Sequence, residues 1–179
     1  MTAPAAQRPP AVRAAAVAVR LADVSRHVAA GSQGCVLRAR LLEDISLHVR
    51  AGACVGIVGP PGSGKTQLLL CAAGLARVSG GSVEWSGAAR DPAERVYASA
   101  RALERAQLRV SLICLDDADI FVALPFIAEA NARGAAILAA ARDPFVLACA
   151  GALIRELRGG RLAPAGEAPR ARVAEGELR

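Results

Sequence analysis

At 179 residues, with 54% hydrophobic and 21% charged side chains, the chain holds enough material for one domain with a real core, not two of ordinary size. Its formal charge of +6 comes from arginines spread along the chain and not interleaved with aromatics, which argues against a nucleic-acid surface. No stretch reaches the roughly 18 uncharged apolar residues of a membrane-spanning helix, two distant histidines make a metal cage improbable, and five cysteines without CxxC spacing predict buried free thiols in a reducing compartment.

Residues 1–14 are Ala/Pro-rich and read as a disordered leader. The stretch Ala15 to Val24 carries the β-branched alternation of a strand, and Gly31, Ser32 and Gly34 mark a turn. Ile45, Leu47 and Val49 alternate with Ser46, His48 and Arg50, as a half-buried strand does. After a turn at Arg50-Ala51-Gly52, Cys54 to Val58 is a short buried strand, and Thr66 to Leu75 is a helix stopped near Gly74.

Ser82 to Ser86 follows as a strand. Asp91-Pro92-Ala93-Glu94 has the chemistry of a helix start, with a capping aspartate, a first-turn proline and a capping-box glutamate, and predicts a helix to about Leu108. Val110 to Leu115 is a buried strand, 123–132 a helix, 135–140 a strand, and Asp143-Pro144 opens a helix to about Ala150. Leu153 to Leu157, Gly159-Gly160 and Arg161-Leu162 read as a hairpin, and residues 163–179 as a flexible tail. Alternating strands and helices predict an α/β fold, a mainly parallel sheet covered on both faces.

The segment Gly59-Pro60-Pro61-Gly62-Ser63-Gly64-Lys65-Thr66 matches GxxxxGK[ST] in full, between a predicted strand and a predicted helix. Glycines let a backbone wrap closely round a phosphate, and successive amides with a helix N-terminus then face the anion. Lys65 can reach the β- and γ-phosphates of ATP or GTP, and the Thr66 hydroxyl can ligate Mg²⁺. Lys65 is the single lysine of the chain, and arginine's broad fork is a poor substitute for a compact ammonium inside such a loop.

A second signal is the apolar run Ser111 to Leu115 leading into Asp116 and Asp117. In P-loop proteins a carboxylate at the end of a neighbouring strand holds Mg²⁺, which suits Asp116, while Asp117 can orient or deprotonate an attacking water. The alternative for either residue is a capping aspartate at a strand-to-helix turn.

With loop and strand in place, the order of motifs resembles the ATP-binding cassette (ABC) ATPases of ABC transporters. Leu42 to Gly52 is similar to that family's lead-in to its P-loop; Gln67 to Leu70 with Ala73-Gly74-Leu75 resembles its helix. Ser79 to Val83 with Trp85-Ser86-Gly87 resembles the strand and turn beyond, Arg95 to Leu103 the helix after the signature motif, and Ile154 to Leu162 the closing hairpin. The resemblance implies a P-loop NTPase three-layer sandwich with an N-terminal antiparallel β portion, and one nucleotide-binding domain over 15–162. It implies ATP and Mg²⁺ as cofactors, bound by the loop residues with Gln67 beside them, and a cytoplasmic subunit peripheral to the inner membrane. Its expected partners are a membrane permease or a second ABC-type ATPase subunit.

Departures from the family are plain. The span from Lys65 to Arg95 is far shorter than the family's, so the Q-loop and most of the helical subdomain are expected to be missing. No LSGGQ is present, and Arg90 to Glu94 stands in its expected place. Asp117 replaces the usual glutamate, one methylene shorter, and Arg142 stands where the family has a histidine, unless it is merely a surface residue before a helix cap. His27 falls where the family often stacks a tyrosine on adenine, the alternative being a simple loop histidine. The leading expectation is an ATP-binding subunit, which if active is a Mg²⁺-dependent ATP hydrolase. A non-hydrolysing nucleotide-binding module partnering a complete ATPase is the alternative, and a small P-loop kinase a distant third.

Overall fold

Successive side chains along each strand point to opposite faces, and that parity decides which layer each one enters. The computed structural model describes residues 16–30, 37–99, 110–116 and 120–163. The predicted leader lies outside them, as does the predicted tail beyond Ala163.

Two long strands open the described fold, β1 (Val17–Ala30) and β2 (Leu37–Arg50), paired antiparallel with Val24 opposite Ile45. In β2, Ile45, Leu47 and Val49 are buried while Ser46, His48 and Arg50 are exposed, as the alternation predicts. The pairing is broken by a matched irregularity. Asp23 and Asp44 both adopt left-handed backbone (φ 48° and 51°), a conformation short polar side chains tolerate best. The two satisfy each other's neighbours crosswise. The Ser46 hydroxyl accepts from the Asp23 amide (3.0 Å) and donates to Asp23 Oδ1 (2.8 Å), and the Ser25 hydroxyl accepts from the Asp44 amide (3.1 Å). A third strand, β4 (Gly80–Trp85), pairs antiparallel with β1.

The second sheet contains β3 (Cys54–Val58), β5 (Arg95–Ala98), β6 (Leu112–Leu115), β7 (Ala136–Ala141), β8 (Leu153–Arg158) and β9 (Arg161–Leu162), in the spatial order β5-β6-β7-β3-β8-β9. All its pairings are parallel except the β8–β9 hairpin. The described helices are α1 (Lys65–Ala73), α2 (Ile120–Ala132) and α3 (Pro144–Cys149). None is long and apolar enough to cross a membrane.

Strands β3, β6 and β7 are buried along their whole length, as expected of parallel strands covered on both faces. Val55, Ile57, Leu112, Cys114, Leu138 and Ala140 face one core with α1 and the antiparallel sheet. Their strand neighbours of opposite parity, Cys54, Val58, Ile113, Leu115, Ile137 and Ala139, face a second core with Ile127 of α2 and Leu147 of α3. The result is the expected α/β three-layer arrangement, a mainly parallel sheet with an antiparallel N-terminal portion.

One prediction fails outright. The helix expected from Asp91 is absent as far as Ser99, beyond which residues 100–109 lie outside the described ones. Asp91 does cap, accepting from the Ala93 amide at 2.9 Å, but only a single 3₁₀ turn, Pro92–Glu94, follows. Arg95–Ala98 then extends as β5 and pairs with β6 in the register Tyr97 to Cys114. The similarity of Arg95–Leu103 to the helix after the signature motif is therefore overturned at its start, and Arg90–Glu94 does not lead into such a helix. A local cap lost to tertiary pairing: Val96 and Tyr97 are good strand residues, and the open edge of β6 supplies their partners. Thirteen residues, 99–111, connect β5 to β6.

Candidate functional site

The loop Gly59–Thr66 leaves the buried end of β3 and enters α1. Gly64 caps the helix with φ 103°, and its carbonyl accepts the first helical bond, from the Leu68 amide at 2.9 Å. Gly62 is also left-handed (φ 77°), and a Cβ there would meet nothing within 4 Å, so this glycine faces open space. Gly59 and Gly64 face protein instead. A Cβ on Gly59 would come within 2.2 Å of the Leu157 carbonyl oxygen, and one on Gly64 within 2.5 Å of that of Leu41. The loop is thus fixed between β2 and β8 on its inner side and free on its outer side.

Lys65 bends over this loop. Its Nζ donates to the Gly59 carbonyl (2.7 Å) and the Pro60 carbonyl (3.0 Å) and lies 3.5 Å from Ser63 Oγ. Ser63 is the buried polar residue of the loop, and its amide closes a turn onto the Pro60 carbonyl. Thr66 is exposed on the first turn of α1. The site therefore holds a positive charge, a helix N-terminus and a hydroxyl at one edge of the sheet, a combination suited to a phosphate chain.

Asp116 follows β6 at the same C-terminal edge, which β3 also reaches. The two strands are not immediate neighbours as expected, because β7 lies between them. At about 4.8 Å per strand, β3 and β6 run roughly 10 Å apart. Asp116 is half-buried, and its Oδ2 accepts a hydrogen bond from the Tyr97 hydroxyl at 2.8 Å. Burial, and then that bond to Asp116, push the Tyr97 phenol up to about 12. Asp117 lies outside the described residues.

His27 is exposed on β1, and its amide donates to Ser79 Oγ at 3.0 Å. Arg142 is exposed just beyond β7, before the Asp143 cap of α3. Gln67 sits in the first turn of α1, where its Oε1 accepts from Arg26 Nε at 2.8 Å. Arg26 also donates to the Arg77 carbonyl, beyond the far end of α1.

Three contacts around the site have no sequence motif to announce them. They are the Arg26–Gln67 bond, the Tyr97–Asp116 bond, and a clamp on the loop from the β8–β9 hairpin. In that clamp the Gly160 amide donates to the Ser63 carbonyl (3.1 Å), and the Gly160 carbonyl accepts from the Glu43 amide (2.8 Å). Arg161 pairs with Glu43 at 2.6 Å and, with Arg40, holds that carboxyl below its ordinary range. The paired glycines of the hairpin signalled a turn, but nothing in the pattern placed it against the loop.

A glycine loop spanned by Lys65 lies between a fully buried parallel strand and a helix, with an aspartate at the end of a second parallel strand, and all of these fall within residues 42–119, which match the family model described as ABC transporter. That match covers 78 of the chain's 179 residues.

The uncharacterized ABC transporter ATP-binding protein R00382 of Rhizobium meliloti (strain 1021) is 38% identical over 78 residues, 41% of this chain and 29% of that protein. The cytochrome c biogenesis ATP-binding export protein CcmA of Shewanella frigidimarina (strain NCIMB 400) is 48% identical over 54 residues, 30% of this chain and 25% of that protein. The chain's matches thus span less than a third of these curated relatives' length. Among solved structures, the ABC-type fold is shared with an ATP-binding cassette in a dimeric post-hydrolysis state bound to ADP and Pi. That match has a TM-score of 0.64 at 13% identity, covering 82% of this chain and 97% of the other. cbiO1 from Clostridium perfringens, described as part of an ABC transporter complex, matches at a TM-score of 0.59 and 10% identity, covering 83% and 88%.

Proposed function

We propose that this ABC-type domain, spanning residues 15–162, binds Mg²⁺-ATP as the cytoplasmic ATP-binding component of a membrane transporter, working with a permease subunit or a second ATPase subunit. The observation that carries the reading is the loop itself, with Gly62 open to one side and the Lys65 ammonium held across its mouth. Amides of residues 62–66 and the α1 N-terminus would hold the β- and γ-phosphates, with Lys65 neutralising their charge. Thr66 and Asp116 would hold Mg²⁺, with Gln67 beside them, and the exposed His27 would offer a face to the adenine. Bound Mg²⁺ would supply Lewis-acid charge stabilisation at the phosphates. Asp117 is the residue of this chain that would position water.

Whether turnover follows is a separate matter. The absence of an LSGGQ from the sequence, Arg142 in place of the histidine and the aspartate in place of the longer glutamate favour a module that binds ATP and leaves hydrolysis to a complete partner subunit. Calorimetry tests the binding claim: Lys65→Ala is expected to abolish measurable Mg²⁺-ATP binding while the fold persists, and equal affinities for the two proteins would refute it. Phosphate release by the chain alone would argue for an independent ATPase.

A further inference from the structure

The geometry points to Tyr97 as the residue that positions Asp116 for a divalent cation, a role resting on the reading of Asp116 as a metal-holding residue. Tyr97 lies opposite Cys114 in the β5–β6 ladder, and the ladder continues one step further through the Asp116 amide, which donates to the Ala98 carbonyl at 3.1 Å. Strand parity then places the two side chains on one face. Cys114 faces the core beneath α1, Tyr97 packs against that core, and Asp116 is two residues beyond Cys114. The phenol therefore reaches diagonally along this face to Asp116 Oδ2 at 2.8 Å.

Asp116 stands at the point where β6 ends, so its own backbone fixes its carboxylate only from one side. Strand β5, which took the place of a predicted helix, supplies the second constraint. With Oδ2 engaged by a neutral donor, the carboxylate is held in one orientation and Oδ1 keeps its lone pairs for a cation. Carboxylates that ligate metals depend on such hydrogen-bonded supports, whose loss typically weakens the metal by about 10- to 100-fold. The hydroxyl, not the ring, carries the effect. Phenylalanine keeps the packing and removes only the bond.

The test compares ATP affinity in EDTA with ATP affinity in saturating Mg²⁺, for wild type, Tyr97→Phe, Asp116→Asn and the double variant. The ratio of the two affinities is the coupling of metal to nucleotide and needs no turnover. Tyr97→Phe is expected to lower that ratio by up to about tenfold, with ATP affinity in EDTA unchanged. Asp116→Asn should lower it at least as far, and the double variant should equal Asp116→Asn, because the bond cannot be lost twice. A ratio unchanged in Tyr97→Phe but lowered in Asp116→Asn overturns the inference alone. A ratio unchanged in Asp116→Asn overturns the metal role of Asp116 and the inference with it. Loss of ATP affinity in EDTA on Tyr97→Phe makes the tyrosine a structural residue and overturns the inference as well.

Discussion

The amide of Gly160 donates to the carbonyl of Ser63 at 3.1 Å, so the last hairpin of the described fold holds a phosphate loop that lies 97 positions earlier in the chain. The contact leaves no room for a side chain. Gly160 is left-handed (φ 79°), and a Cβ there would lie 2.8 Å from the Leu41 carbonyl oxygen, a backbone atom of β2 that cannot rotate away. Its neighbour Gly159 is also left-handed (φ 53°) but open on all sides.

This difference gives the first prediction. Gly159→Ala bears only the backbone cost of a left-handed alanine, about 1 kcal/mol, and should bind ATP normally. Gly160→Ala adds a clash with fixed backbone, so a loss of about 3 kcal/mol is expected, with ATP affinity reduced because Ser63 is released. Urea unfolding and calorimetry on the two variants check it; equal stability losses would show that the hairpin does not brace the loop.

The second prediction concerns the far end of α1. The Arg95 guanidinium lies 4.2 Å from the centroid of the Trp85 ring, and the indole Nε1 donates to the Ala72 carbonyl at 2.8 Å. A Cβ on Gly74, the left-handed helix cap, would come within 2.5 Å of an Arg95 nitrogen. The cation thus sits over the ring and beside the last carbonyls of the helix, where the helix dipole favours positive charge. Arg95→Ala should cost about 1–2 kcal/mol and shift the emission of Trp85, the single tryptophan, to the red as its covered face meets water. Arg95→Lys should recover only part of both, since an ammonium lacks the planar stacking surface. Fluorescence and thermal melts on the two variants measure it.

How much of this was legible in the sequence follows from how local each cause is. Strands β2 and β3, helix α1 and its stop at Gly74 were readable, since their causes are an alternation, an apolar run and a glycine within a few residues. Asp91 was read correctly as a cap and wrongly as the start of a long helix. The cap is local, whereas the fate of Arg95–Ala98 depends on β6, about twenty residues further on. The same holds for the site. The loop and Asp116 carry motifs, while Tyr97, Arg26 and Gly160 reach them only through pairing partners 19, 41 and 97 positions away, which no short pattern encodes.

The third prediction follows from the buried thiols. Burial pushes Cys54 up to about 11 and Cys114 up to about 12, from an ordinary value of 9.0, and Tyr97 rises to about 12 from 10.0. In each case the folded chain keeps its proton after the unfolded chain has lost it. Stability from these groups is complete below about pH 9, falls as the unfolded state deprotonates between 9 and 10, and is lost as pH rises through 11 to 12. The slope is negative because the folded state binds more protons. Urea midpoints should therefore hold steady from about pH 7 to 8.5 and decline steadily above pH 9, and Cys54→Ala should flatten the decline. Thiol labelling followed by peptide mass mapping gives an independent check. Cys149 is exposed and should react in the native protein, whereas Cys54, Cys71 and Cys114 are buried and should react only once the chain is unfolded. Native labelling of Cys114 at neutral pH would mean that the sheet beneath α1 opens readily, and the alkaline decline would then have to begin from a partly open state instead of from the packed core.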